Sequence, residues 1–91
     1  MKQIAILGAG ESGLGAALLA RREGYVVWVS DSGKISEERK ILLQNAGINF
    51  EEGEHDDSKI LSCDLIIKSP GIPYKAKVVK AAIDQGIQVI D

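Results

Sequence analysis

Ile4-Ala5-Ile6-Leu7-Gly8-Ala9-Gly10-Glu11-Ser12-Gly13-Leu14 is the stretch on which the fold turns. An apolar run of strand length enters a glycine-rich turn, and the chain leaves it through a helix-forming segment that continues to Arg22. That order suits a buried parallel strand followed by a phosphate-binding turn. Gly8 permits a tight exit from the strand, Gly10 lets backbone approach a diphosphate, and Gly13 lets the helix pack closely on the sheet. Amide groups at the helix start, reinforced by the helix dipole, face an anion there. Ser12 suits two roles at once, donor to a phosphate and N-cap of the helix. Glu11 belongs to the same loop, but its charge has to face solvent if a diphosphate is bound.

Outward from that turn, apolar strands alternate with helical segments. Strands are expected at Gln3–Leu7, Tyr25–Ser30, Ile48–Glu51, Asp64–Lys68 and Ile87–Ile90, with helices at Ser12–Glu23, Ser36–Ala46 and Lys75–Gln85. An acidic connection, Glu51–Asp57, leads to a single helical turn at Ser58–Leu61. Gly24, Gly47 and Gly86 each stand between a helix and the next apolar run, where a left-handed residue ends a helix. The layout predicts an α/β fold: a Rossmann-like, doubly wound parallel sheet with strand order 3-2-1-4-5 and helices on both faces. Gly13, Ala16, Ala17 and Ala20 give the first helix a small-residue face towards that sheet.

The chain has 91 residues and carries 11 Lys and Arg against 13 Asp and Glu, without a basic block, so nucleic acid is not expected as a partner. It is 45% hydrophobic but only 4% aromatic, which fits an aliphatic core beneath helices. One cysteine, Cys63, cannot form an internal disulfide, and no apolar run reaches membrane-span or signal-peptide length. A monomeric domain of the reducing cytoplasm, with no membrane contact, is the expectation. Residues 1–91 are read as one nucleotide-binding domain. The end at Asp91, directly after a strand, points to an amino-terminal fragment of something longer.

In such a sheet a ligand sits outside the carboxyl ends of the strands, between strands one and four. Those ends carry Gly8–Gly13, then Asp31-Ser32-Gly33, then Ser69-Pro70-Gly71-Ile72-Pro73, and Asp91 after strand five. Asp31 lies roughly twenty residues beyond the glycine loop, where this fold places an acid that accepts from a sugar hydroxyl or base N–H. Two prolines stiffen the Ser69–Pro73 turn, which presents the Ser69 hydroxyl and the Gly71 N–H. His55, among Glu51, Glu52, Glu54, Asp56 and Asp57, shows no metal-ligand spacing and reads as part of a solvated acidic loop. Cys63 reads as a small core residue. Trp28 and Tyr74 read as packing residues, Tyr74 with the option of lining the crevice. Neither a nucleophile–base pair nor a carboxylate pair is visible, so the fragment reads as a binder with no chemistry or cofactor of its own.

Gly8-Ala9-Gly10-Glu11-Ser12-Gly13-Leu14, Asp31, Asp64–Pro73 and Ala81–Ile87 together resemble the amino-terminal domain of the Mur ligases, in their D-glutamate-adding branch. The resemblance spans essentially the whole chain, and Ser69–Pro73 is its most specific part. It implies a bacterial cytoplasmic, three-domain, ATP-dependent ligase of peptidoglycan synthesis. The first domain of such a ligase holds the UDP portion of UDP-N-acetylmuramoyl-L-alanine, the central one binds ATP and magnesium, and the last brings D-glutamate. By position, Gly8, Gly10, Glu11, Ser12 and Gly13 form the diphosphate loop, Asp31 and Ser32 meet the uracil side, and Ser69, Pro70 and Gly71 line the pocket. The family often has a basic residue after the Asp31-Ser32 pair; Gly33 stands there, with Lys34 next. The central domain's ATP loop, catalytic lysine and histidine lie outside this sequence, so the fragment alone is expected to be inactive. The residues by themselves leave open an NAD-binding domain of a dehydrogenase and a regulatory nucleotide-sensing module.

Overall fold

The computed structural model describes residues 2–91. Five strands and four helices alternate: β1 Gln3–Leu7, α1 Glu11–Arg22, β2 Val26–Asp31, α2 Glu37–Asn45, β3 Asn49–Glu52, α3 Asp57–Leu61, β4 Leu65–Lys68, α4 Lys77–Asp84 and β5 Gln88–Ile90. All strand pairs are parallel, in the order β3-β2-β1-β4-β5. The architecture and strand order are those expected, and the element ends move by one or two residues.

Side chains of β1 alternate between two cores, as a strand's period of two requires. Ile4 and Ile6 pack with Val27, Val29, Ala17, Ala20 and Leu43 beneath α1 and α2. Ala5 and Leu7 pack with Ile66, Ile60, Val78, Val79 and Ala82 beneath α3 and α4. Burying a side chain of Ile or Leu size stabilises by about 1.5–3 kcal/mol, so both faces of β1 contribute. Cys63 joins the second core, as its expected role requires.

Local caps explain several boundaries. The Ser36 hydroxyl accepts from the Arg39 N–H and the Asp56 carboxylate from the Lys59 N–H, starting α2 and α3. Gly24, Gly47 and Gly86 have φ of 95°, 72° and 81° at the helix exits. α4 starts at Lys77 instead of Lys75, because residues 69–76 are taken up by two successive turns, closed by Ile72 N–H to Ser69 C=O and Ala76 N–H to Pro73 C=O.

Candidate functional site

β1 and β4 are adjacent and their outgoing loops touch. Gly8 leaves β1 with φ of 98°, and a Cβ at that position would stand 2.9 Å from the Ser69 Cβ. Gly8 therefore permits both the turn and the approach of the second loop. The Ser69 N–H donates to the Leu7 carbonyl at 2.8 Å, tying the loops together. Gly13 makes the third close approach, since a Cβ there would fall 1.9 Å from the Gly8 carbonyl oxygen. Gly10 differs, with open space around its Cβ position, so its backbone is accessible to a ligand.

The loop amides divide into two sets. Gly8 N–H donates to the Ser30 carbonyl at 2.8 Å and Ala9 N–H to Asp31 Oδ2 at 2.8 Å. The first helical bond of α1 runs from Leu14 N–H to the Gly10 carbonyl, and no side chain caps the helix start. The amides of Glu11, Ser12 and Gly13 precede that bond and have no partner within the helix. This corrects the expectation for Ser12: Gly10 is the N-cap, and Ser12 lies inside the first turn with its hydroxyl outside the capping position. Glu11 is exposed, as expected.

A crevice of about 250 Å³ opens between the α1 start and the β4 exit, bordered by Ser12, Gly13, Lys68, Ser69, Pro70 and Asp91. Four of the expected binding residues, Ser12, Gly13, Ser69 and Pro70, thus share one cavity, and Gly8 abuts it through Ser69. Asp31 and Ser32 lie across the glycine loop, at the end of β2. The Asp31 carboxylate already accepts from Ala9 N–H and, through Oδ1, from Gly33 N–H at 2.8 Å. It orders both loops and keeps a further acceptor position on each oxygen. The Gly71 N–H, expected to face a ligand, instead points to the Ser69 hydroxyl at 3.4 Å within the turn.

Sequence reasoning missed Lys68. Its side chain is 2% exposed, with Nζ 2.9 Å from Asp91 Oδ1 and 4.2 Å above the centre of the Tyr74 ring. Tyr74 donates its hydroxyl to the same Oδ1 at 2.8 Å. The Lys68 bond, followed by that of Tyr74, holds the Asp91 carboxyl below its ordinary value, and the bond to Asp91 pushes the Tyr74 phenol up. The signal was present in the strand's alternation: Lys68 shares the buried face of β4 with Ile66, where a charge needs a partner.

His55 is only partly exposed and is held against the sheet edge. Its Nδ1 is 2.6 Å from the Ser30 hydroxyl, which donates to Glu51 Oε2 at 2.8 Å. Glu51 Oε2 further accepts from Trp28 Nε1 and Asp56 N–H, so the acidic connection folds onto the sheet edge. With the hydroxyl proton directed to Glu51, His55 Nδ1 carries the proton it donates to Ser30. Among the described residues no group of three or more His, Cys, Asp or Glu side chains is placed to hold a metal ion. No helix among them is long and apolar enough to cross a membrane.

A doubly wound parallel sheet, with a glycine loop and a proline-stiffened loop meeting at its switch point, defines a Rossmann-like domain of the Mur ligase kind. The chain belongs to the MurD N-terminal domain family, whose model matches residues 3–78. It is 54% identical over 89 residues to the UDP-N-acetylmuramoylalanine–D-glutamate ligase of Cytophaga hutchinsonii, covering 98% of this chain and 20% of that protein. The Bacteroides fragilis protein of the same name is 48% identical over 90 residues, again covering 20% of the relative. The chain thus spans about a fifth of the length of these relatives. Among solved structures, the murein peptide ligase Mpl of Psychrobacter arcticus superposes with a TM-score of 0.85 at 29% identity, over 98% of this chain and 18% of that one.

Proposed function

We propose that this domain binds the UDP portion of UDP-N-acetylmuramoyl-L-alanine as the amino-terminal domain of an ATP-dependent D-glutamate-adding ligase of peptidoglycan synthesis. The uncapped start of α1 against the Ser69-Pro70 loop carries this reading: partnerless amides in a narrow crevice favour an anion. The names of the relatives supply the substrate class. In this assignment Gly8, Gly10, Glu11, Ser12 and Gly13 form the diphosphate loop, with the Glu11 side chain turned to solvent. Asp31 and Ser32 take the uracil side, the spare acceptor positions of Asp31 receiving an N–H or hydroxyl. Ser69, Pro70 and Gly71 wall the pocket.

In the whole ligase the alanine carboxylate is activated as an acyl phosphate at the expense of ATP, and the D-glutamate amine displaces the phosphate. ATP, magnesium and D-glutamate are held by parts of the ligase beyond residues 1–91. The task of this domain is to anchor and orient the nucleotide end, as a cytoplasmic monomer, and it has no ligase activity alone. Calorimetric titration with UDP-N-acetylmuramoyl-L-alanine and, separately, NADH tests the assignment. Heat of binding is expected with the UDP ligand; saturable NADH binding without a response to the UDP ligand refutes it.

A further inference from the structure

Lys68 is a full positive charge enclosed at the wall of the crevice, with Asp91 as its carboxylate partner. The two ends of this pair are held differently. Lys68 is 2% exposed, whereas the Asp91 side chain is 42% exposed and can turn to water with little rearrangement. Water solvates a released carboxylate well; a lysine in this position needs another anion. Ser12 and Gly13 border the same crevice, and Lys68 is the only cationic residue among those lining it. The start of α1 contributes N–H groups and a fraction of a charge, less than a diphosphate's own charge calls for.

We propose that Lys68 and Asp91 form a charge-exchange pair, in which Lys68 receives the phosphates of a nucleoside diphosphate and Asp91 is the internal carboxylate it gives up. The Tyr74 hydroxyl stays with the displaced Asp91, and the Tyr74 ring continues to cover the ammonium group. Asp91 thereby limits the affinity of the crevice for anions and discriminates against small ones, which gain too little from Lys68 to displace it. The inference rests on the crevice being the phosphate site assigned above.

A charge series on the 91-residue chain tests it, with UDP as the anionic probe and uridine as its neutral counterpart, each titrated calorimetrically. Asp91→Asn frees the cation and is expected to tighten UDP by about fivefold, and Lys68→Met to weaken it by at least about fivefold. The double variant restores neutrality and is expected within about twofold of the unmodified chain, with uridine flat across the series. If the pair only braces the Ser69–Pro73 loop, Asp91→Asn weakens UDP as Lys68→Met does, and the proposal is overturned. A parallel change in uridine affinity overturns it too. If Asp91→Asn does not fold, the double variant decides: it must recover the UDP affinity lost in Lys68→Met. Binding of UDP with no charge dependence defeats this proposal alone, whereas no binding of UDP to any chain defeats the crevice assignment as well.

Discussion

Gly13→Ala asks whether α1 really needs to sit against the turn that precedes it. The added Cβ lands 1.9 Å from the Gly8 carbonyl oxygen and 3.0 Å from its carbon, with Ile6 Cγ2 at 3.5 Å. The obstacle is backbone, so no rotamer change relieves it; the start of α1 must retreat by roughly 1.5 Å to restore an ordinary contact. That movement loosens Ala17 and Ala20 from Ile4, Ile6 and Val29 in the core beneath α1. Overpacking costs about 1–3 kcal/mol, and the absence of any side-chain escape places this case at the upper end. Alanine returns about 1 kcal/mol of helix propensity, leaving a net loss of about 2 kcal/mol. A domain of this length has about 5–14 kcal/mol in total, so the loss is large. Urea unfolding followed by circular dichroism measures the free energy, and a thermal scan by the same signal is expected to show a fall in melting temperature of roughly 10–15 °C. Gly10→Ala is the control: open space surrounds its Cβ and φ is −73°, so stability changes by no more than about 1 kcal/mol. If Gly13→Ala unfolds within about 0.5 kcal/mol of the unmodified chain at unchanged denaturant slope, the close approach of helix to turn is not what Gly13 provides.

Other consequences can be measured independently. Asp31→Ala removes the acceptor of Ala9 N–H and Gly33 N–H, and is expected to cost about 1–3 kcal/mol while accelerating amide exchange at Ala9. Unchanged exchange there would mean that Asp31 does not order the glycine loop. Glu52 pairs with Lys40 and accepts from Ile35 N–H, and the Lys40 bond above all holds its carboxyl below the ordinary 4.5. A depressed carboxylate contributes stability above its unfolded value that is lost as pH falls through the folded one. Acid titration of stability below about pH 4.5 should therefore be shallower in Glu52→Gln; an identical slope refutes the contribution. Lys40 is raised by the same bond, so its share persists below 10.5 and is lost as pH rises through the higher folded value. Burial pushes the Cys63 thiol up, so a thiol reagent at neutral pH should label the native chain far more slowly than the urea-unfolded one. Equal rates would place Cys63 outside the core.

Much of this structure is legible in local pattern because its determinants are local. Gly24, Gly47 and Gly86 punctuate the chain where φ becomes positive, and uninterrupted aliphatic runs mark strands buried on both faces. Boundaries drift where a cap or turn competes, as at Ser69–Ala76, whose two turns delay α4. His55 was misread because an acidic neighbourhood looks solvated until Ser30, at the end of β2, is brought beneath it. Lys68 was overlooked as a site residue because its partner Asp91, at the exit of β5, is brought beside it only by the pairing of β5 with β4.

The amino-acid sequence alone determined the strand–glycine turn–helix unit, the parallel order 3-2-1-4-5 and the edge at which the polar loops gather. These follow from φ preference, apolar periodicity and the handedness of short crossovers. Only the tertiary structure decided which groups at that edge remain available to a ligand. Placing β2 beside β1 commits Gly8 N–H to Ser30 and Ala9 N–H to Asp31, which leaves the first amides of α1 as the free donors of the loop. Placing β4 and β5 together encloses the Lys68 charge against Asp91. Hydrogen-bond and ion-pair partners are chosen by proximity in space, and a buried donor or charge takes whatever the adjoining strands bring within reach.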